Sequence, residues 1–180
     1  MGKVLWKSFI LRIFYTTATV AWCTGDQCLV KIDIFDLPED CYYTKEHTWA
    51  KIEKDGTVRV GFDDYGQKLA GKIVLVRLPE TGDKVKHMSV FASMESGKWV
   101  GKLYSPISGT VKTVNANLER NPRLMNTSPY GEGWIAVIEP SDLNNELKKL
   151  LSGESAVEWL NKEIEARKKE VEKVKKRMGG

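Results

Sequence analysis

The chain has 180 residues, enough for one domain of ordinary size with a substantial core plus tails. Charged residues at 29% and hydrophobic ones at 42% describe a soluble globular protein and exclude the fibrous, low-complexity and disordered classes. The formal charge of +4 does not indicate nucleic-acid binding: residues 161–180 hold eight Lys or Arg against four Glu, which accounts for the whole excess, and no aromatic side chain is interleaved among them.

Residues 4–22 are rich in apolar side chains, but Lys7 and Arg12 interrupt them. The uninterrupted run from Ile13 to Trp22 falls short of the roughly 20 residues that span a bilayer, so no membrane association is expected. Lys3 and Lys7 have the form of the basic start of a signal peptide, yet Arg12 lies inside the apolar part and Ala21-Trp22-Cys23 is a poor cleavage site. Residues 1–37 are therefore set aside as an N-terminal extension, disordered or not translated, with an alternative start of synthesis near Leu29 or Val30. Cys23, Cys28 and Cys41 are odd in number and lack paired C-x-x-C spacing, which argues against a disulfide framework or a zinc site. With only His47 and His87 beside them, no metal site is expected.

From Tyr43 to Pro140 short β-rich runs alternate with turn residues, the pattern of an all-β barrel or sandwich. Trp49 to Ile52 reads as a strand, Asp55-Gly56 as a hairpin turn and Thr57 to Phe62 as the returning strand. Ile73 to Leu78 reads as a more buried strand, closed by the turn Pro79 to Asp83. Ser89 to Met94 and Trp99 to Tyr104 are two further strands, joined by the tight hairpin Glu95-Ser96-Gly97-Lys98. The strand from Gly109 to Val114 opens Gly-Thr-Val-Lys, echoing Gly56-Thr57-Val58-Arg59, a weak internal repeat that fits two similar β halves on either side of the Lys98 turn. Tyr130 to Gly133 is a turn and Trp134 to Ile138 the last strand. Pro140 and Ser141 mark the switch to helix, with Ser141 as N-cap and Leu143, Leu147, Leu150 and Leu151 on one face. Leu160, Ile164, Val171, Val174 and Met178 continue a sparse helical spacing through residues 161–180, a charged helical tail whose apolar positions are too few for a coiled coil.

One lysine stands out by position. Lys98 sits at a hairpin tip, where a long side chain projects from a stiff base, and that suits the attachment of a swinging arm. A phosphate-binding loop would need Gly at position 92 and Ser or Thr at 99; the chain has Ala92 and Trp99. A biotin-carrying lysine usually lies between methionines, whereas Gly97 and Trp99 flank this one.

Four segments then resemble, in order, the signatures of glycine-cleavage H proteins: Tyr43-Thr44-Lys45-Glu46-His47-Thr48-Trp49, Glu95-Ser96-Gly97-Lys98, Leu103-Tyr104-Ser105-Pro106-Ile107-Ser108-Gly109 and Ser128-Pro129-Tyr130-Gly131-Glu132-Gly133-Trp134. The resemblance runs over residues 38–160 and implies one H-protein-like lipoyl-carrier domain there. Its implied fold is mainly β, a barrel-sandwich hybrid of the lipoyl/biotinyl type with flanking helices. It implies lipoate attached to Lys98, with Glu95, Ser96 and Gly97 forming the attachment turn, and a non-catalytic role. The arm would carry an aminomethyl group from glycine decarboxylase to an aminomethyltransferase, with dihydrolipoyl dehydrogenase reoxidising the dithiol and a lipoylating enzyme installing it. A cytoplasmic monomer without nucleic-acid partners is expected.

Two positions depart from the family pattern. His47-Thr48-Trp49 stands where the family reads His-Glu-Trp, and Lys102 stands where it has Asp four residues beyond the lipoyl lysine. His47, Thr48 and Lys102 are thus the candidates for lining the arm's cleft, and a cationic cargo would meet a like charge there unless Glu46, Asp63 or Asp64 compensates. The segments Glu95 to Gly101 and Leu37 to Tyr43 are also similar to lipoate-binding proteins of the heterodisulfide-reductase-like sulfur-oxidation system, which leaves a sulfur cargo as the alternative. Trp49, Trp134 and Tyr130 are expected to pack in the core or line a groove, and His47 to be a hydrogen-bonded structural residue without a catalytic role.

Overall fold

Strands whose alternate side chains are apolar must bury one face, and three antiparallel sheets do so here around two adjoining cores. Residues 19–24 and 27–178 are described by the structure, a computed structural model. The largest sheet has six strands: β4 (Tyr42–Tyr43), β5 (Thr48–Ile52), β6 (Val58–Phe62), β8 (Lys84–Val85), β11 (Gly109–Val114) and β12 (Ala136–Pro140), in the order β4-β5-β6-β12-β11-β8. Facing it, β7 (Ile73–Arg77), β9 (Val90–Ser96) and β10 (Val100–Tyr104) form a sheet in the order β10-β9-β7. Ala50, Val60, Val76, Met94, Leu103 and Ile138 share one buried cluster between these two sheets, a mainly β arrangement in keeping with the barrel-sandwich hybrid that the resemblance implied, with its sheets not closed.

The Gly-Thr-Val repeat proves to be a structural one. The strands β6 and β11 flank β12 on either side, and Val58 and Val111 are both in register with Ile138. All three side chains are buried, so the two β halves meet along this row.

The third sheet lies where the sequence suggested an extension. In β1 (Thr19–Thr24), β2 (Gln27–Ile32) and β3 (Phe35–Pro38) the chain runs as a meander. Val30, Ile32, Phe35 and Leu37 are buried in the second core together with Tyr43, Trp49 and Tyr65. The boundary drawn at residue 38 therefore cuts through packed structure: β2 and β3 are part of the domain. Of the apolar stretch 4–22, residues 4–18 lie outside the described residues, as do residues 1–3 before it, and the readings of a signal peptide or late start rest largely on them.

The helices are α1 (Asp64–Ala70), α2 (Asn117–Arg120), α3 (Leu124–Thr127), α4 (Leu143–Leu147) and α5 (Gly153–Met178). Asp142 and not Ser141 holds the N-cap position of α4, and no side chain caps it. The leucine face breaks after Leu147, because Leu151 leaves the helix to exchange backbone hydrogen bonds with Tyr43, at 2.7 and 2.8 Å. The last strand starts at Ala136, two residues later than expected, because Tyr130 to Trp134 remain in the turn. At the other end, α5 buries Ala156, Val157, Trp159, Leu160 and Ile164 on the second core, then runs on as an exposed charged rod on which Val171 and Val174 are open to solvent. No helix among the described residues is long and apolar enough to cross a membrane.

Trp49 joins the two cores. It is fully buried, its indole N–H reaches the carbonyls of Phe62 at 3.2 Å and Pro129 at 3.1 Å, and its ring occupies the space where Gly61 lacks a side chain. A Cβ on Gly61 would come within 2.5 Å of that rigid ring. Gly61→Ala is expected to destabilise the fold by about 1–3 kcal/mol, the range for overpacking a dense core. Urea unfolding followed by far-UV circular dichroism measures this, and an unchanged midpoint would show that the ring has room to shift.

Candidate functional site

The hairpin between β9 and β10 carries Lys98. Val100 pairs with Glu95, the Ser96 N–H donates to the Trp99 carbonyl at 2.8 Å, and the Lys98 N–H donates to Ser96 Oγ at 3.4 Å. The turn is thus braced by its own backbone and by Ser96, and Lys98 stands exposed at its tip. Its amine makes no hydrogen bond or ion pair among the described residues. Glu95 is partly buried one strand in, with its carboxylate 3.5 Å from the guanidinium of Arg77 on β7. Gly97 has ordinary φ and open space where a Cβ would be, so nothing within the protein requires glycine there.

Beside the tip lies a cleft of about 670 Å³. One wall is β10, whose alternation sends Val100, Lys102 and Tyr104 toward the cleft and buries Gly101 and Leu103 behind them. The other wall is α1, through Gly66, Leu69 and Ala70, with Phe62, His47 and Glu46 completing it. Lys98 and Trp99 form the mouth. The lining is largely apolar, with Glu46, His47, Lys98, Lys102 and Tyr104 as its titratable groups, and Lys102 has no ionic partner among the described residues.

Asp63 holds the α1 wall in place. One carboxylate oxygen accepts from the Gly66 N–H at 2.6 Å and so caps the helix, and the other lies 3.1 Å from His47 Nδ1. The Asp63 N–H also donates to the His47 carbonyl at 2.9 Å. The His47 backbone sits at φ 63°, and its ring lies between those of Tyr65 and Trp159, with centroids 5.0 and 5.2 Å away. Glycine at 66 allows this approach, since a Cβ there would meet Phe62 at 2.5 Å and His47 Cβ at 2.8 Å.

Of the expected cleft residues, His47 and Lys102 line it and Thr48 does not. Thr48 is fully buried, with its hydroxyl 2.7 Å from that of Thr44, a pairing that satisfies both groups inside the fold. Neither Asp63 nor Asp64 faces the cleft. Asp64 accepts from Lys68 Nζ at 2.6 Å, Gln67 Nε2 at 2.7 Å and the Asp36 N–H at 2.9 Å. Trp49, Trp134 and Tyr130 all lie away from the cleft, and the Tyr130 hydroxyl donates to the Asp36 carbonyl at 2.9 Å. Cys41 is buried, and burial together with the neighbouring Asp40 pushes its thiol up to about 12, which keeps it protonated and unreactive. Sequence reasoning missed the α1 wall, although Asp63 before the helix and Gly71 after it, at φ 77°, are ordinary helix-boundary signals. It also assigned no role to Trp99.

The sequence pattern of the glycine cleavage H-protein family matches residues 41–163. A probable glycine cleavage system H protein of Thermococcus gammatolerans is 44% identical over 132 residues, 73% of this chain and 98% of that protein. The glycine cleavage system H protein of Oceanobacillus iheyensis is 49% identical over 119 residues, 66% of this chain and 93% of its own length. The crystal structure of a glycine cleavage system H protein from Mycobacterium marinum superposes with a TM-score of 0.60 at 32% identity, covering 71% of this chain and 98% of that one.

Burial pushes the His47 pKa down, but the hydrogen bond and charge of Asp63, aided by Glu163 and Glu46, outweigh it and raise the pKa above 6.5. A raised folded-state pKa stabilises fully below the unfolded value, and that stabilisation is lost as pH rises through the folded value. His47→Asn tolerates the left-handed backbone. Its deficit in unfolding free energy relative to wild type is expected to be largest below about pH 6.5 and to shrink as pH rises toward 8. Urea titrations across that range measure it, and a deficit that grows with pH would contradict the pairing.

Proposed function

Because the chain belongs to the glycine cleavage H-protein family, we propose that it is a non-catalytic lipoyl carrier with its cofactor on Lys98. In this reading it moves the aminomethyl group of glycine from the decarboxylase to the aminomethyltransferase, serves dihydrolipoyl dehydrogenase between rounds, and works as a cytoplasmic monomer. The observation that carries it is an exposed, uncommitted lysine at the tip of a braced hairpin, set at the mouth of a cleft large enough to receive an arm. When attached, lipoate supplies a disulfide and dithiol that exchange with incoming groups.

The protein's own residues supply position. Ser96 and the β9/β10 pairing fix where the arm begins, and the open space around Gly97 leaves the turn accessible to a lipoylating enzyme. Val100, Leu69 and Ala70 offer apolar surface to a retracted hydrocarbon arm and reduce its contact with water. Catalytic groups are supplied by the partner enzymes in this reading. The reported relatives are all glycine cleavage H proteins, and none speaks for the alternative sulfur cargo.

The test is loading. Lipoylated protein is incubated with glycine decarboxylase and labelled glycine, and the Lys98 peptide is read by mass spectrometry. Label on the arm is expected, and Lys98→Arg is expected to abolish both lipoylation and label. A lipoylated arm that takes up no label from glycine would refute the aminomethyl role.

A further inference from the structure

The fold sorts the three cysteines into a pair and a single residue. Cys41 is buried in the second core beside Asp40, where its thiol stays protonated. Cys23 and Cys28 stand in β1 and β2, which pair antiparallel from Thr19↔Ile32 to Thr24↔Gln27, and this register sets Cys23 directly opposite Cys28. Directly opposite residues have Cα atoms about 4.5 Å apart where they exchange no hydrogen bonds and about 5.5 Å apart where they do. Disulfide bridges span Cα separations of roughly 4.4–6.8 Å, so either arrangement admits one.

A slip of one residue would put the two cysteines on opposite faces of the ribbon, so the pairing matters only if the register is held. It is anchored through β2. Val30 and Ile32, which follow Cys28 at alternate positions, are buried in the second core. The same strand pairs on its other edge with β3, from Leu29↔Pro38 to Ile32↔Phe35.

We propose that Cys23 and Cys28 form a redox-active dithiol that small-molecule disulfides, such as oxidised glutathione, convert to a cross-strand disulfide. The thiolate of one cysteine attacks the small disulfide, whose S–S bond breaks and releases one thiol. The second cysteine then attacks the mixed disulfide, forming the Cys23–Cys28 bond and releasing the second thiol. The protein gives up two electrons and two protons, and the small disulfide becomes two thiols. The register favours the second step because it keeps the two residues opposite one another, while burial spares Cys41. This site lies in the N-terminal meander and does not depend on what Lys98 carries.

The test is a redox titration of the full chain. The protein is equilibrated in glutathione buffers of graded reduced-to-oxidised ratio, denatured in N-ethylmaleimide to tag free thiols, and digested with trypsin. Arg12 and Lys31 bound a peptide that holds both cysteines and no other cleavage site, and Cys41 falls in the next peptide. Peptide 13–31 is expected to pass from a doubly tagged form to an untagged form two hydrogens lighter, with Cys41 tagged throughout. The equilibrium constant for this oxidation should be at least about tenfold larger in the folded chain than in urea. The exchange variant Cys28→Leu/Leu29→Cys keeps the composition but moves one thiol out of register, and should lose that advantage. Equal constants in the folded and unfolded wild-type chain would overturn the proposal, whether or not the variant folds. So would a folded variant that oxidises as readily as wild type, or separate glutathione adducts on Cys23 and Cys28 in place of the bridge.

Discussion

Everything about the cleft depends on the Asp63 carboxylate. A short helix is not stable alone, and α1 has only seven residues. It persists because Asp63 caps its first turn while the second carboxylate oxygen and the Asp63 backbone N–H engage His47. His47 in turn is wedged between Tyr65, on α1 itself, and Trp159, on α5. One buried carboxylate thus joins the helix wall, the loop before β5 and the C-terminal helix into a rigid jaw opposite β10. The strained backbone at His47 belongs to this arrangement, since a left-handed residue directs both its carbonyl and its ring at the same aspartate.

The strands were legible because alternation and turn chemistry are local. Asp55-Gly56, Pro79 to Asp83 and the Lys98 hairpin all fall at turns, and Gly109 to Val114 forms a strand over its full predicted length. The Gly-Thr-Val echo carried more than periodicity could show, since only the structure reveals that both copies bracket Ile138. The parts that were not legible depend on distant partners. Thr48 resembled a cleft residue by its place in a motif, yet Thr44 draws its hydroxyl inward. Leu151 fits the helical spacing of its neighbours, yet pairing with Tyr43 takes it out of the helix. Trp99 next to a candidate lysine looks like ordinary surface until the absent side chain of Gly101 is seen beneath it.

The second core explains why an N-terminal meander and a charged helix belong to the same domain. Neither has an apolar partner of its own. β2 and β3 supply Val30, Ile32, Phe35 and Leu37, α5 supplies Ala156, Trp159 and Leu160, and the two groups close over Tyr43, Trp49 and Tyr65. An ion pair of 2.9 Å between Lys168 and Asp33 extends the contact past the last buried turn. It is exposed and adds little stability. What holds α5 to the domain is the apolar face of its first three turns, and the basic remainder is free of structural duty.

The seating of Trp99 over Gly101 also has a consequence for the surface around it. A side chain added at 101 would displace the indole from its seat, so this seat exists only while 101 is glycine. The two positions are therefore coupled through a single contact. Where 101 carries a side chain, a tryptophan at 99 must find another resting place, and the hairpin then presents a different surface beside Lys98.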